Sequence, residues 1–397
     1  MRHLAALAAT AVALAFAAPA GAQTLDLTFL GQQIFAPGTQ VLGTTLGGLS
    51  GIDYSASLNR YIAISDDPTN ARFYTLDLAL TPTSFTGVTF QAVTTFKTPG
   101  GGTYATGSID PESIRFASDS TVVYSSEGFA NNGVDPFIRT ANWSDGTLTG
   151  SNYSVPGYYL ASSDTGIRNN LAFESLTFGD NLLVTATENA LKQDGPMASA
   201  TDRSPARILT FDTATRAAAG EYVYLTDTFA VPPTGGNFAT NGLVELLHVE
   251  GTQYLALERS YTVGAPGTGY SVKIYGIDLA GATDVRGVMD LDDTAYTPVT
   301  KTLLFDLTGL TDADGNVVPL DNLEGITFGE TLSDGSRSLI LVSDDNFGAT
   351  QFTQFLAFRL GAGAVPEPAS WAMMIGGMGV IGGSVRRRRV ASRTLAA

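Results

Sequence analysis

The chain of 397 residues contains no cysteine, two histidines and four lysines (Lys97, Lys192, Lys273, Lys301). Each scarcity removes chemistry. Without cysteine there is no disulfide framework, no thiolate metal site and no cysteine nucleophile, so core packing must hold the fold together. His3 lies at the start, which leaves His248 as the single histidine beyond it. A histidine-rich binuclear phosphatase centre is therefore excluded. A Ser-His-Asp triad would have to use His248, which sits in the apolar stretch Leu246-Leu247-His248-Val249 and reads as structural. The nucleophile elbow G-x-S-x-G is absent too. Basic charge is scarce: of 22 Lys and Arg, six lie in terminal segments (Arg2, Arg386, Arg387, Arg388, Arg389, Arg393), leaving 16 between residues 23 and 364. Of 38 acidic residues only Glu367 lies in those segments, leaving 37 and a net charge of −21. Nucleic acid, which needs a basic surface, is excluded as a partner. Divalent cations suit this balance better. Any hydrolysis must rely on carboxylates, an arginine or lysine, and a metal.

Both ends carry targeting features. Arg2 and His3 precede the apolar run Leu4 to Ala18 and the small-residue site Ala20-Gly21-Ala22. This order predicts a secretory signal peptide over 1–22. At the other end Val365-Pro366-Glu367-Pro368 leads into an apolar stretch from Ala369 to Val385, followed by four arginines. The spacing predicts a short transmembrane helix with its C-terminus in the cytoplasm. Within it, Gly377-Met378-Gly379-Val380-Ile381-Gly382 matches the dinucleotide fingerprint formally. It follows no strand, so it reads as close-packing glycine in a membrane helix. The tail over 365–397 resembles the PEP-CTERM sorting signal of Gram-negative bacteria. That resemblance implies an exosortase-type processing partner and transient anchoring in the inner membrane. It also implies delivery to the periplasm, outer surface or biofilm matrix.

Residues 23–364 read as one all-β domain. Short β-branched and aromatic runs such as Tyr61-Ile62-Ala63-Ile64 and Thr121-Val122-Val123-Tyr124 alternate with Gly, Pro, Asn and Asp clusters. No amphipathic helix pattern exceeds about three turns. Five copies of an acidic phrase run through the region. Each opens on a strand with a carboxylate and closes its partner strand with another: Glu112 with Glu127, Glu174 with Glu188, Glu245 with Glu258, and Glu324 with Asp344 or Asp345. The first copy closes on Asp66 and Asp67 but has Ser50-Gly51 at its opening. Radial repetition of hairpins predicts a β-propeller of five to six four-stranded blades. A sixth blade would come from the terminal strands near Phe29 and Phe355, or from 200–230.

Antiparallel pairing puts the two ends of each phrase together, and the propeller axis gathers the phrases at one mouth. There Glu112, Glu174 and Glu324 are the candidate ligands or base, with Arg259 as an anion clamp. Asp66, Asp67, Glu127, Glu188, Glu245, Glu258, Asp344 and Asp345 are the further metal candidates. Many oxygen ligands favour Ca²⁺. Arg115 could face the channel or solvent. Asp312-Ala313-Asp314-Gly315-Asn316 suits a calcium loop or a plain Asp-Gly turn.

The phrases Gly47-Gly48-Leu49-Ser50-Gly51-Ile52-Asp53-Tyr54, Tyr61-Ile62-Ala63-Ile64-Ser65-Asp66-Asp67, Asp110-Pro111-Glu112-Ser113-Ile114, Leu255-Ala256-Leu257-Glu258-Arg259-Ser260 and Asn322-Leu323-Glu324-Gly325-Ile326 resemble the phytase-like family, the group described as having esterase-like activity of phytase. The resemblance spans roughly 45–360 and implies an exported propeller with phosphoester or carboxyl-ester hydrolysis. Two functions fit this sequence: a monomeric, metal-dependent ester hydrolase acting on a small phosphoester, or a non-catalytic propeller binding extracellular polysaccharide with structural Ca²⁺.

Overall fold

The computed structural model describes residues 25–361 except 293. The two predicted targeting segments, with the glycine-rich Gly377–Gly382 stretch, lie outside the described residues. Among the described residues no helix is long and apolar enough to cross a membrane. The only helical turns there are the 3₁₀ turns Ala130–Asn132 and Gly157–Tyr159.

The β-rich runs pair into five four-stranded antiparallel sheets. Blade 1 is Leu49–Ser55, Arg60–Ser65, Arg72–Thr81 and Ser84–Thr95. Blade 2 is Pro111–Ser118, Thr121–Ser126, Phe137–Asn142 and Leu148–Thr149. Blade 3 is Thr177–Gly179, Leu182–Ala186, Pro205–Asp212 and Ala218–Leu225. Blade 4 is Ala239–Glu250, Gln253–Thr262, Tyr270–Asp278 and Thr300–Asp306. Blade 5 is Asn322–Thr331, Arg337–Asp344 and Thr353–Leu360, completed by the N-terminal strand Leu27–Phe35. The first strand of each blade faces a common axis, and the ring is a five-bladed propeller.

The chain ends close the ring. Leu27 pairs with Leu360 and Phe35 with Thr353, so the outermost strand of blade 5 comes from the start of the chain. This corrects the expectation of a sixth blade. The strands at Phe29 and Phe355 do pair, but with blade 5, and 200–230 forms the outer half of blade 3.

Apolar residues bury between adjacent blades. Ile62 and Phe73 of blade 1, with Phe96 just after its last strand, meet Ile114 and Tyr124 of blade 2. Leu257 and Ile274 of blade 4 meet Leu341 and Phe358 of blade 5. Each fully buried side chain of this size contributes about 1.5–3 kcal/mol. Five such interfaces replace the covalent cross-links that the chain lacks.

Candidate functional site

Strand register decides which side chains share the mouth of the propeller. Across the inner hairpins, Leu49 faces Ser65, Pro111 faces Ser126, Phe173 faces Thr187, Leu243 faces Glu258 and Leu323 faces Ser343. One residue further on the second strand stand Asp66, Glu127, Glu188, Arg259 and Asp344. One residue further on the first strand stand Ser50, Glu112, Glu174, Val244 and Glu324. Register shifts occur at Ser50, Val244 and Glu324, and between Pro111 and Ile114. Such β-bulges re-aim the side chain they carry.

Blade 4 is therefore out of step with its sequence phrase by one residue. Its opening equivalent is Val244 rather than Glu245, and its closing equivalent is Arg259 rather than Glu258. A slip of one residue sends side chains to the opposite face of a strand. Glu245 drops into the channel and pairs with Arg115 at 2.8 Å. Glu258 turns to the flank of the blade, where Lys301, Tyr224 and the Asp227 N–H hold it. Neither is brought to the mouth. Asp67 is not brought there either. Its carboxylate pairs with Arg72 at 2.6 Å and accepts the Thr69 N–H. Asp345 stands behind the site, accepting the N–H groups of Gly48 and Phe347.

The structure brings together Asp66, Glu112, Glu174, Glu188, Glu324, Asp344 and Arg259, which line one pocket of about 540 Å³. All five blades contribute to it. Asp110, two residues before Glu112, joins them, and its one signal in the sequence is its place in the same phrase. Glu127 lies just beneath, 1% exposed, with Ala172 N–H bonded to Oε2. Ligand oxygens of Glu112, Glu174 and Glu324 lie within 4.8 Å of one another, as do those of Asp110, Glu112 and Glu127. Arg259 donates from Nη2 to Glu324 Oε1 at 2.8 Å and reaches Glu188 Oε1 at 3.5 Å. Asn322 Nδ2 holds Glu324 at 2.9 Å and Asp344 at 3.1 Å.

The electrostatics are those of crowded, desolvated acids. Burial pushes Glu112 and Glu174 well above the usual carboxylate range, and neighbouring carboxylates push them further. Asp66 and Asp344 rise for the same reasons. Burial lifts Asp110 to about 7, and it lifts Glu188 to about 7 against the pull of Arg259. Asp66 Oδ1, Glu127 Oε1 and Glu188 Oε1 are buried without a hydrogen-bond partner. Buried acceptors normally find one. Carboxylate oxygens without a hydrogen-bond partner, in a set of hard ligands, fit a divalent cation such as Ca²⁺.

Beside the acids runs an aromatic ledge. Tyr261 and Tyr270 lie 4.6 Å apart, and Phe238, 64% exposed, lies 6.3 Å from Tyr261. A wider cleft of about 680 Å³ on the flank holds Arg203, Lys273 and Lys301. It shares no lining residue with the carboxylate pocket, and Lys301 there is already taken by Glu258 and Asp227. His248 is away from both pockets. Its Nε2 lies 3.1 Å from the Gly251 carbonyl oxygen and its ring packs on Tyr254. The Asp312 loop is a turn whose carboxylate accepts the N–H groups of Asp314 and Asn316.

Similar solved structures include α-L-arabinofuranosidase from Lactobacillus brevis (12% identity, TM-score 0.42, covering 79% of this chain and 91% of that one). Another is endo-1,4-β-xylanase from Bacteroides thetaiotaomicron (12% identity, TM-score 0.42, 80% and 95%). The endo-arabinase of the same organism matches at 10% identity and a TM-score of 0.39, over 83% and 98%. No curated protein matches the sequence. Residues 364–389 match the PEP-CTERM protein-sorting motif, which implies export and exosortase processing. Residues 44–347 match the phytase-like family described as "Esterase-like activity of phytase", and the chain belongs to that family.

Proposed function

We propose that the protein is an exported, metal-dependent ester hydrolase that acts on small phosphoesters at the carboxylate pocket. The observation that carries this reading is the convergence of Glu112, Glu174 and Glu324 within 4.8 Å, with one arginine facing them. These three would hold the cation or serve as base. A bound divalent cation would supply Lewis acidity and a more acidic water at neutral pH. Arg259 is placed to clamp an anionic group entering the pocket, since its guanidinium is already fixed by Glu324 and Glu188. The blades around the pocket keep bulk water from the buried carboxylates, which strengthens each charge interaction there. Delivery to the cell surface of a Gram-negative bacterium, after transient anchoring in the inner membrane, belongs to the same proposal, and the sorting motif supports the export it requires.

A second reading rests on the aromatic ledge of Phe238, Tyr261 and Tyr270. Flat apolar faces beside a polar pocket suit a sugar ring, so a non-catalytic propeller binding matrix polysaccharide with structural Ca²⁺ is the alternative. Assaying the purified protein on aryl phosphates and carboxyl esters, with Ca²⁺ and with chelator, separates the two. The hydrolase reading expects Ca²⁺-dependent turnover and a loss of about 100-fold or more in Glu324→Gln. No turnover at any metal concentration, alongside a melting temperature that Ca²⁺ still raises, overturns catalysis and supports the binding reading.

A further inference from the structure

The acids in the pocket form two groups rather than one. Asp110, Glu112 and Glu127 have ligand oxygens within 4.8 Å of one another, and so do Glu112, Glu174 and Glu324. Glu112 belongs to both. All five residues are buried, at 1–7% exposure. Oxygens bound to the same Ca²⁺ at 2.3–2.6 Å can lie no more than about 5 Å apart, so each group has the span of one coordination sphere.

The two groups differ in how this chain compensates them. Arg259 and Asn322 both donate to Glu324 in the second group. Among the described residues, no lysine or arginine pairs with Asp110, Glu112 or Glu127. The first group receives one backbone donor, Ala172 N–H on Glu127 Oε2. Glu127 Oε1 has no partner although the residue is 1% exposed. A buried anionic oxygen left bare costs several kcal/mol. Its neighbours are carboxylates, which repel it unless a proton or a cation lies between them. An acid cluster alone would not identify a ligand. The bare, buried oxygen of Glu127 does, because no basic side chain among the described residues pairs with the first group.

We propose that the pocket is a binuclear divalent-cation centre in which Glu112 is the bridging carboxylate. One ion lies among Asp110, Glu112 and Glu127, and the other among Glu112, Glu174 and Glu324. This rests on the metal-dependent reading of the same pocket and adds the number of ions, the bridge and a role for Asp110 and Glu127. The deeper ion is enclosed by blades 2 and 3, and the outer one faces Arg259. Two ions about 4 Å apart can hold two oxygens of one phosphoryl group together.

The test is stoichiometry. The full-length protein, stripped with chelator, is dialysed against Ca²⁺ and its bound calcium counted, with calorimetry for affinity. The expected result is two Ca²⁺ per chain in the native protein and one in Glu127→Gln or Glu174→Gln. Glu112→Gln should weaken both sites by at least tenfold. Mn²⁺ in place of Ca²⁺ should give a spin-coupled pair in electron paramagnetic resonance, lost in Glu127→Gln. One ion in the native protein overturns the binuclear centre and leaves the metal-dependent reading standing. No ion overturns both. Two ions with only one lost in Glu112→Gln overturn the bridge. Melting curves in chelator identify any variant that fails to fold, and the native stoichiometry and spin coupling decide the question without the variants.

Discussion

The guanidinium of Arg115 and the carboxylate of Glu245 meet at 2.8 Å on the propeller axis, and between them they bond to all five blades. Arg115, from blade 2, donates to the carbonyl oxygens of Ile52 in blade 1, Leu246 in blade 4 and Ile326 in blade 5. Glu245 accepts the Leu176 N–H, just before the first strand of blade 3, at 2.9 Å. The pair plugs the channel beneath the acidic pocket. Arg115→Met leaves Glu245 buried without its cation and should cost about 3–5 kcal/mol in urea unfolding. Arg115→Met with Glu245→Leu should recover most of that loss. A single variant as stable as the native protein would show that the axis pair is dispensable.

Arg259 is the only cation lining the pocket among the described residues. Arg259→Met strips the positive charge from Glu188 and Glu324 together. Phosphoester turnover should fall by at least about 100-fold, as for loss of a charge-stabilising donor. Lysine in its place should restore little, because a point charge cannot span two carboxylates as the planar fork does. Steady-state kinetics on Arg259→Met and Arg259→Lys check both statements.

Gly48 makes room for the acid of blade 1. Its φ is +64°, and a Cβ there would come within 1.8 Å of Asp66 Oδ1. Gly48→Ala should therefore displace the Asp66 carboxylate and lower the melting temperature. Gly38→Ala separates this contact from backbone strain, since Gly38 has φ +76° with nothing within 4 Å. Gly38→Ala carries only the left-handed backbone cost of about 1–3 kcal/mol. Gly48→Ala should exceed it, and equal melting shifts would count against the steric role of Gly48.

The metal-free protein should be more stable at pH 5 than at pH 8. Burial raises the Asp110 carboxyl from 3.8 to about 7 and the Glu188 carboxyl from 4.5 to about 7, so the folded state holds protons that the unfolded state releases. The stability from those protons is complete below about pH 4 and is lost as pH rises through about 7. Glu112 and Glu174 are raised as well and extend the decline upward. Saturating Ca²⁺ should flatten it, adding about 2.7 kcal/mol at a hundred times the dissociation constant. Thermal melts with chelator and with Ca²⁺ across pH 5–8 test this; stability that climbs with pH in chelator contradicts it.

Local sequence carried much of this architecture. Alternating β-branched strands and turn residues reveal five hairpins because strand periodicity and turn chemistry act over a few residues. The same phrases name Glu112, Glu174 and Glu324, which do converge. Blade 4 shows the limit. Glu245 and Glu258 look like their counterparts, yet in blade 4 the bulge position that carries Glu324 in blade 5 carries Val244, so Glu245 falls one residue late and Arg259 rather than Glu258 stands at the mouth. Which residue falls on a bulge leaves no mark in composition or spacing. The opening of the first unit has its own cause. A side chain at Gly51 would come within 2.9 Å of the Glu112 backbone. A glutamate carried there would meet an occupied wall.

By itself the sequence determined the all-β class, the repeated acidic phrase, the sorting signal and the exclusion of thiol and histidine-rich chemistry, since these depend on which residues exist and what lies a few positions away. Only the tertiary structure decided that there are five blades rather than six, that the N-terminal strand closes blade 5, that Arg115 belongs to the axis, and that Asp110 belongs with the carboxylates. Each of those depends on contacts between strands tens to hundreds of residues apart. Such contacts are set by ring closure and by register, and a chain read one segment at a time contains neither.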